Sequence, residues 1–203
     1  VGAADIYLGD TPSIALPTFA AGASARAAFD AAADWDHVGL TTGGVEFAYA
    51  PDFGEVEVDQ YLDVAKMFKQ RQTVTVNTTF AEATLENLLF AWGQPTSTYT
   101  PAGAGTDAVS GTADDTDAEL IIHGGSLGAA PEERALAFVG PAPGAGRERV
   151  YYLERVLSVE SSSHSLSRSE ATTIPVSLRC LPAGSDTSGT VEYGRIIERA
   201  VTA

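Results

Sequence analysis

A short glycine-rich stretch in the second half of the chain has the spacing of a catalytic serine. Gly124-Gly125-Ser126-Leu127-Gly128 matches G-x-S-x-G, the nucleophile elbow of serine hydrolases. An elbow requires a helix directly after the serine, but Pro131 follows closely, and then an apolar run at 135–139 that is typical of a strand. The triad histidine would be His164, and no Asp lies between it and Ser126. This context favours a plain turn, and a serine hydrolase acting through Ser126 stays a remote alternative.

The residue types that bind metals lack the spacing that a metal site needs. His37, His123 and His164 are far apart, with no H-x-H or H-E-x-x-H pair. Cys180 is the only cysteine, which excludes an intrachain disulfide and a cysteine-based zinc cluster. An acidic loop offers oxygen ligands for calcium but lacks the residue order of an EF-hand. We therefore expect no catalytic residue, no cofactor and no metal. The acidic loop contains Asp107, Asp114, Asp115, Asp117 and Glu119.

The acidic residues are concentrated in the first two thirds of the chain, whose formal net charge is -15. Residues 1–133 contain 20 acidic and 4 basic residues (net -16), whereas residues 134–203 contain 7 and 8 (net +1). This distribution argues strongly against ordinary nucleic-acid binding, in which Lys and Arg must neutralise phosphates. No run approaches the roughly 18 apolar residues of a membrane span. We expect one soluble domain over 1–203 and no membrane partner.

Residues 1–36 show little periodicity. They are rich in Ala, Gly and Pro, and only residues 24–33 contain enough helix formers for a short helix. We therefore expect an N-terminal arm that crosses the surface of its own molecule or a neighbour.

Alternation of apolar and polar residues begins after residue 37. It occurs at 45–49 and at 55–59, and again at 72–80 after a connection that contains three basic residues. Each of these runs is typical of a half-buried strand with one apolar face and one polar face. The sequence thus predicts three strands within residues 37–93, the part of the chain that we expect to form the core with one helix.

The clearest helix signal follows these strands. Thr79 and Glu82 have the spacing of a capping box, and Gly93 supplies a C-terminal stop. The apolar residues between them recur at i, i+3, i+4 and i+7, so one face of the helix must pack on the sheet. That face consists of Leu85, Leu88, Leu89 and Trp92.

The rest of the chain alternates between loop-like and strand-like segments. Residues 94–119 contain almost nothing to bury, which predicts a long exposed, flexible loop. Strand-like runs separated by Gly, Pro and Ser resume over 120–203 and are expected to complete the core. Several strands with one good helix indicate an α+β, mainly β fold and not a βαβ repeat.

The order of these segments resembles that of phage tail tube proteins. The similar motifs are W-x-x-V-G-x-T-x-x-G-V at 35–45, V-D-Q at 58–60, A-E-x-T-L-E-N-L at 81–88 and FVGPAPGAGR at 138–147. The likeness covers residues 35–93 and 136–182. It implies a β-sandwich or flattened barrel with one flanking α-helix.

The resemblance also implies a function without catalysis. Tail tube subunits form hexameric rings that stack into a hollow tube in the virion tail, through which DNA passes at ejection without specific binding. The implied partners are further copies of the chain, the tape measure protein, the terminator and the tail tip, with assembly in the host cytoplasm. The insertion at 94–119 favours a non-contractile tail. The alternatives are a tail terminator, a capsid decoration protein or the tube of a phage-tail-like injection machine.

Two sets of candidate residues follow from the resemblance. We expect the polar faces of the strands at 55–59 and 73–77 to line the channel, although one β-bulge would invert a face. The connection at 61–72 and the N-terminal arm are candidates for contacts between stacked rings. The lumen-facing candidates are Glu55, Glu57, Asp59, Thr73, Thr75 and Asn77, and the inter-ring candidates are Tyr61, Lys66, Lys69 and Arg71.

Overall fold

A computed structural model describes residues 4–56, 64–103, 116–124, 131–160, 162–164, 171–184 and 192–202. In these parts of the chain the backbone forms ten strands, two α-helices and one turn of 3-10 helix at Thr96–Thr98. The prediction of an α+β, mainly β fold is confirmed. The elements are β1 (Asp5–Gly9), α1 (Ala25–Asp30), β2 (Trp35–His37), β3 (Thr41–Val56), β4 (Lys66–Phe80), α2 (Leu85–Ala91), β5 (Tyr99–Thr100), β6 (Glu119–Leu120), β7 (Arg134–Pro141), β8 (Arg147–Ser158), β9 (Ile174–Cys180) and β10 (Gly194–Ala200).

Eight of the strands form one antiparallel sheet in the order β2-β1-β7-β8-β9-β4-β3, with β10 also paired to β8. Residues 147–153 of β8 pair with β10, and residues 156–158 pair with β9, so two strands share one edge of β8. The Phe47 ring of β3 lies 6.4 Å from Phe138 of β7 and 5.9 Å from Tyr151 of β8. The sheet therefore curls until its last strand lies over its middle. Whether it is a sandwich or a flattened barrel stays a prediction.

Apolar clusters cover both faces of the sheet's middle. Leu136 and Phe138 of β7 belong to one cluster, and Ala137 and Val139 belong to the other. Burial on both faces explains why β7 is a continuous apolar run instead of an alternating one. Helix α2 packs against the first cluster and α1, through Phe29, against the second, so two helices flank the sheet where the resemblance implied one.

The prediction that residues 1–36 form an arm is wrong for β1. This strand pairs with both β2 and β7, and Ile6, Tyr7 and Leu8 are buried. Tyr7 stands opposite Ala137, whose small side chain leaves room for the Tyr7 ring to stack on Phe29 at 4.7 Å. A five-residue strand surrounded by Ala and Gly has too little periodicity to be recognised from the sequence.

Strands β3 and β4 form one long hairpin, where the sequence predicted three strands. Pro51 does not interrupt β3 because β3 is the last strand in the sheet order, and an edge strand tolerates a missing N–H donor. The connection predicted at 61–72 belongs to β4 from Lys66 onward. Gly43 and Gly44 have positive φ values of 78° and 81° and form a bulge between Thr42 and Val45.

Helix α2 begins later than the capping-box spacing predicted. Phe80 still belongs to β4, where it pairs with Thr41 and Ile174, so Thr79 cannot cap a helix. Thr84 is the N-cap instead, and its side chain accepts a hydrogen bond from the Asn87 backbone N–H. The helix stops at Gly93, as predicted, with φ of 60°. Of the predicted face, Leu89 is buried and Leu85, Leu88 and Trp92 are half-buried, while Asn87, Phe90 and Ala91 complete the buried side.

The predicted loop at 94–119 contains some regular structure at its two ends. Strand β5 pairs with β6, and the 3-10 turn precedes β5. Residues 104–115 lie outside the described residues, so the flexibility of the loop stays a prediction. Within the described part of the chain, no helix is both long and apolar enough to cross a membrane.

Candidate assembly surfaces

One face of β4 carries three of the lumen-facing candidates. Thr73, Thr75 and Asn77 are half-buried and point to one side, whereas Val74 and Val76 point into the core. The two faces of β4 thus contain the residues that the alternation predicted. Their position in a lumen stays a prediction.

Hydrogen bonds join this polar face across three strands. Asn77 stands between Glu46 of β3 and Ser177 of β9. Ser177 Oγ donates to Asn77 Oδ1 at 2.8 Å, and Asn77 Nδ2 donates to Glu46 Oε2 at 3.4 Å. Arg179 of β9 stands opposite Thr75. The described part of the face is therefore polar, with charges of both signs.

The prediction that Glu55 shares this face is wrong. The register shift after Asp52 leaves Gln70 of β4 without a partner in β3, which is a bulge. Strand β3 alternates without a break past this point, so Glu55 points to the same side as Tyr49, away from the polar face. Lys69, just beyond the bulge, also lies on that side, because its Nζ donates to the Tyr49 hydroxyl at 2.7 Å. Three further candidates, Glu57, Asp59 and Tyr61, lie outside the described residues.

The distal half of the β3–β4 hairpin extends beyond the rest of the sheet. Strand β9 pairs with β4 only from Val74 to Phe80, so residues 50–56 and 66–72 form a two-stranded ribbon. We call these residues the hairpin extension. All of them are exposed except Gly54 and Gln72. The extension includes four large exposed apolar side chains, Phe53, Val56, Met67 and Phe68, which are 50%, 40%, 57% and 44% exposed.

The described inter-ring candidates all lie on this extension. Lys66, Lys69 and Arg71 are three of the four basic residues in the first 133 positions. The fourth, Arg26, forms an ion pair with Asp5. Arg71 lies 3.8 Å from Asp52 across the ribbon, in a pair that is exposed to solvent on both sides. The extension is therefore the basic and apolar element of an otherwise acidic part of the chain.

A groove lies at the other end of the hairpin, between the end of β1, strand β2 and helix α2. It has a volume of about 450 Å³, and Asp10, Asp36, Glu86 and Arg134 are among its lining residues. A smaller adjoining pocket shares the last three of these and adds Glu82. We call the two together the acidic groove. The Arg134 residue is only 8% exposed and forms the base of the groove.

The acidic groove holds its negative charges close together. Partial desolvation of the Asp36 carboxyl group, together with the charges of Asp10 and Glu86, raises the pKa of Asp36 above its usual value despite the opposing effect of Arg134. The Tyr99 hydroxyl donates to Glu86 Oε1 at 3.0 Å. One cation at the base does not balance the four carboxylates, so the groove favours a further positive group.

The structure adds no site geometry to the motifs that suggested catalysis or metal binding. Ser126 and most of the acidic loop lie outside the described residues. Within the described ranges, no three His, Cys, Asp or Glu side chains are arranged to hold a metal ion. Cys180 is 2% exposed, and burial raises the pKa of its thiol to about 12, which keeps it in the unreactive thiol form.

The sequence predicted a contact role for the basic residues of the extension, but for neither its apolar residues nor the groove. The signal for the extension was available, since three basic residues within six positions stand out in an acidic segment. The groove had no such signal because its residues come from four distant segments of the chain. No protein-family model matches the chain, and no curated protein matches it in sequence.

Proposed function

We propose that this chain is a structural subunit that assembles with copies of itself into stacked hexameric rings, forming the tube of a phage tail through which DNA passes. The proposed family comes from the sequence resemblance alone. The observation that carries the proposal is the hairpin extension. A two-stranded ribbon exposed on both faces is at best marginally stable in water, so its apolar side chains favour contact with another molecule.

The free edges of the sheet support the same proposal. Strand β3 is sixteen residues long and pairs with β4 on one side only within the described part of the chain. A long edge strand presents unpaired backbone groups that another chain can pair with. Closure of such contacts by rotation gives a ring, and head-to-tail contacts between rings give an open-ended tube.

The polar face of β4 suits a water-filled channel. Thr73, Thr75 and Asn77 are hydrogen-bonding groups with no net charge, and the nearby Glu46 and Arg179 have opposite charges. Such a surface offers no cluster of cations to hold phosphates, so DNA can move along it without stable binding. The acidic residues assigned to the lumen are then confined to Glu57 and Asp59, which remain candidates from the sequence.

Negative-stain electron microscopy of the concentrated protein tests this proposal. We expect hollow tubes of uniform width with a regular axial repeat, and six subunits per ring in averaged end views. Single closed rings that never stack would contradict the tube and indicate a terminator. A monodisperse monomer at every concentration and ionic strength would contradict self-assembly.

A further inference from the structure

The hairpin extension and the acidic groove lie at opposite ends of the molecule. Strand β4 runs from Lys66 in the extension to Phe80, and helix α2, which lines the groove, begins five residues later. Fifteen residues of extended strand span roughly 45 Å. A chain cannot place its own extension in its own groove at that separation, so a contact between the two must join different copies.

The two surfaces have complementary charge. Three cations, Lys66, Lys69 and Arg71, project from one strand of the extension. The other strand carries two carboxylates, Asp52 and Glu55, so the extension has a net charge of +1. The groove carries Asp10, Asp36, Glu82 and Glu86 against the single cation of Arg134. Burial first, and then repulsion from Asp10 and Glu86, raises the pKa of Asp36, and a basic side chain of another copy offsets that repulsion.

The two surfaces also match in apolar character. Leu40 is 70% exposed, and its backbone N–H donates to Glu82 Oε1 at 2.8 Å, which places it at the margin of the groove. The apolar Leu89 and the ring of Tyr99 line the groove itself. Phe53, Met67 and Phe68 of the extension offer apolar partners for this surface. Charge alone at an exposed contact contributes little, so these apolar side chains are needed for a stable contact.

We propose that the hairpin extension of one copy binds in the acidic groove of a second copy, so that the chain stacks head to tail. This inference deepens the proposed function and rests on its stacking of copies. A contact between two different surfaces at opposite ends of a molecule repeats without closing, which gives the polymer a direction. Each stacked copy then has one occupied groove and one bound extension, except at the two ends.

Charge reversal on each side, followed by their combination, tests the contact. One variant carries Lys66→Glu and Lys69→Glu, a second carries Asp36→Lys and Glu86→Lys, and a third carries all four changes. Each of the first two is expected to raise the critical concentration for assembly at least about tenfold, because like charges then face each other. The variant with all four changes is expected to recover assembly, since the charges of the two surfaces are complementary again.

Two controls separate the contact from the fold. The charge-preserving variant Lys66→Arg with Lys69→Arg is expected to assemble like the wild-type chain. Thermal unfolding of every variant checks that it is folded. The two extension positions are exposed and touch no core residue, so the extension variant keeps the test valid even where the groove variant unfolds.

Cross-linking provides a second measurement that does not depend on tubes. Met67→Cys and Leu40→Cys in one chain, treated with a short bismaleimide, are expected to give a ladder of dimers, trimers and longer species. A linker of that length cannot join the two positions within one chain. Buried Cys180 is not expected to react.

The outcomes test the proposed contact and the proposed tube function separately. Normal tubes from both charge-reversal variants would overturn the proposed contact and leave the tube function standing. A cross-linked ladder from a chain that forms no tubes would support the contact and overturn the tube. Absence of both the ladder and the tubes would overturn both proposals.

Discussion

Glu148 is a carboxylate buried within the second apolar cluster, and we expect it to stabilise the fold strongly. It accepts hydrogen bonds from Ser24 Oγ at 2.9 Å and from the Ala25 backbone N–H, which fixes the start of α1. Arg199 Nη1 of β10 lies 3.5 Å from its Oε1, and the two side chains are 11% and 5% exposed. Removal of one partner of a buried ion pair leaves the other uncompensated. The packing of α1, β8 and β10 therefore depends on one charged group.

Glu148→Gln is predicted to lower the free energy of unfolding by about 3 kcal/mol, because Arg199 then loses its buried counter-charge. Urea denaturation followed by tryptophan fluorescence measures the change, since Trp35 belongs to the same cluster. Glu198→Gln is the matched control: Glu198 pairs with Arg147 and Arg149 at the surface, so the loss should be much smaller. Equal losses in the two variants would show that Glu148 has no special role.

At the scale of single elements, the cap of α2 is the clearest local test. Thr84→Ala is predicted to lower the free energy of unfolding by about 1 kcal/mol, because the Asn87 backbone N–H loses its acceptor. Thr84→Ser retains the hydroxyl and should stay near the wild-type value. Urea denaturation of the three proteins measures the difference. An equal loss in Thr84→Ser would assign the effect to the lost methyl group and contradict the capping role.

The same elements show what local patterns predict and where they fail. Alternation identified the polar and apolar faces of β4, because a half-buried strand must alternate whatever its partners are. It did not reveal that β3 continues through Pro51, since tolerance of proline depends on β3 being at the edge of the sheet. The face of Glu55 follows from the same continuity, since β3 alternates without a break from Tyr49 to Glu55. Two separate strands at 45–49 and 55–59, as the sequence predicted, do not reveal that continuity.

At the scale of the whole molecule, long-range strand pairing explains the remaining differences between the sequence-based predictions and the structure. Strand β1 lies between β2 and β7 because it pairs with β7, about 130 residues further along the chain, and short apolar runs do not specify such partners. The acidic groove likewise arises only when four segments meet. The three basic residues of the extension, however, stand out in the sequence itself, because charge is a property of the sequence and not of the fold.

Because the proposed polymer has a direction, a subunit that lacks one of the two contact surfaces is predicted to end its growth. A truncated chain in which Asn-Gly replaces residues 53–70 retains the pair Asp52–Arg71 beside a two-residue turn. Its melting temperature should stay within about 2 °C of the wild-type value, since the deleted described residues are almost all exposed. It lacks both lysines and all four exposed apolar side chains of the extension but keeps the groove. It can therefore bind the extension of one neighbour but cannot bind the groove of the next.

A small fraction of truncated chain mixed with wild-type chain is therefore predicted to shorten the tubes in proportion to its amount. Length distributions from electron microscopy measure this effect. Truncated chain that also carries Asp36→Lys and Glu86→Lys has neither a working groove nor an extension, so it should leave tube length unchanged. Equal shortening by both truncated chains would mean that they act by another contact, and it would remove the groove from the stacking interface.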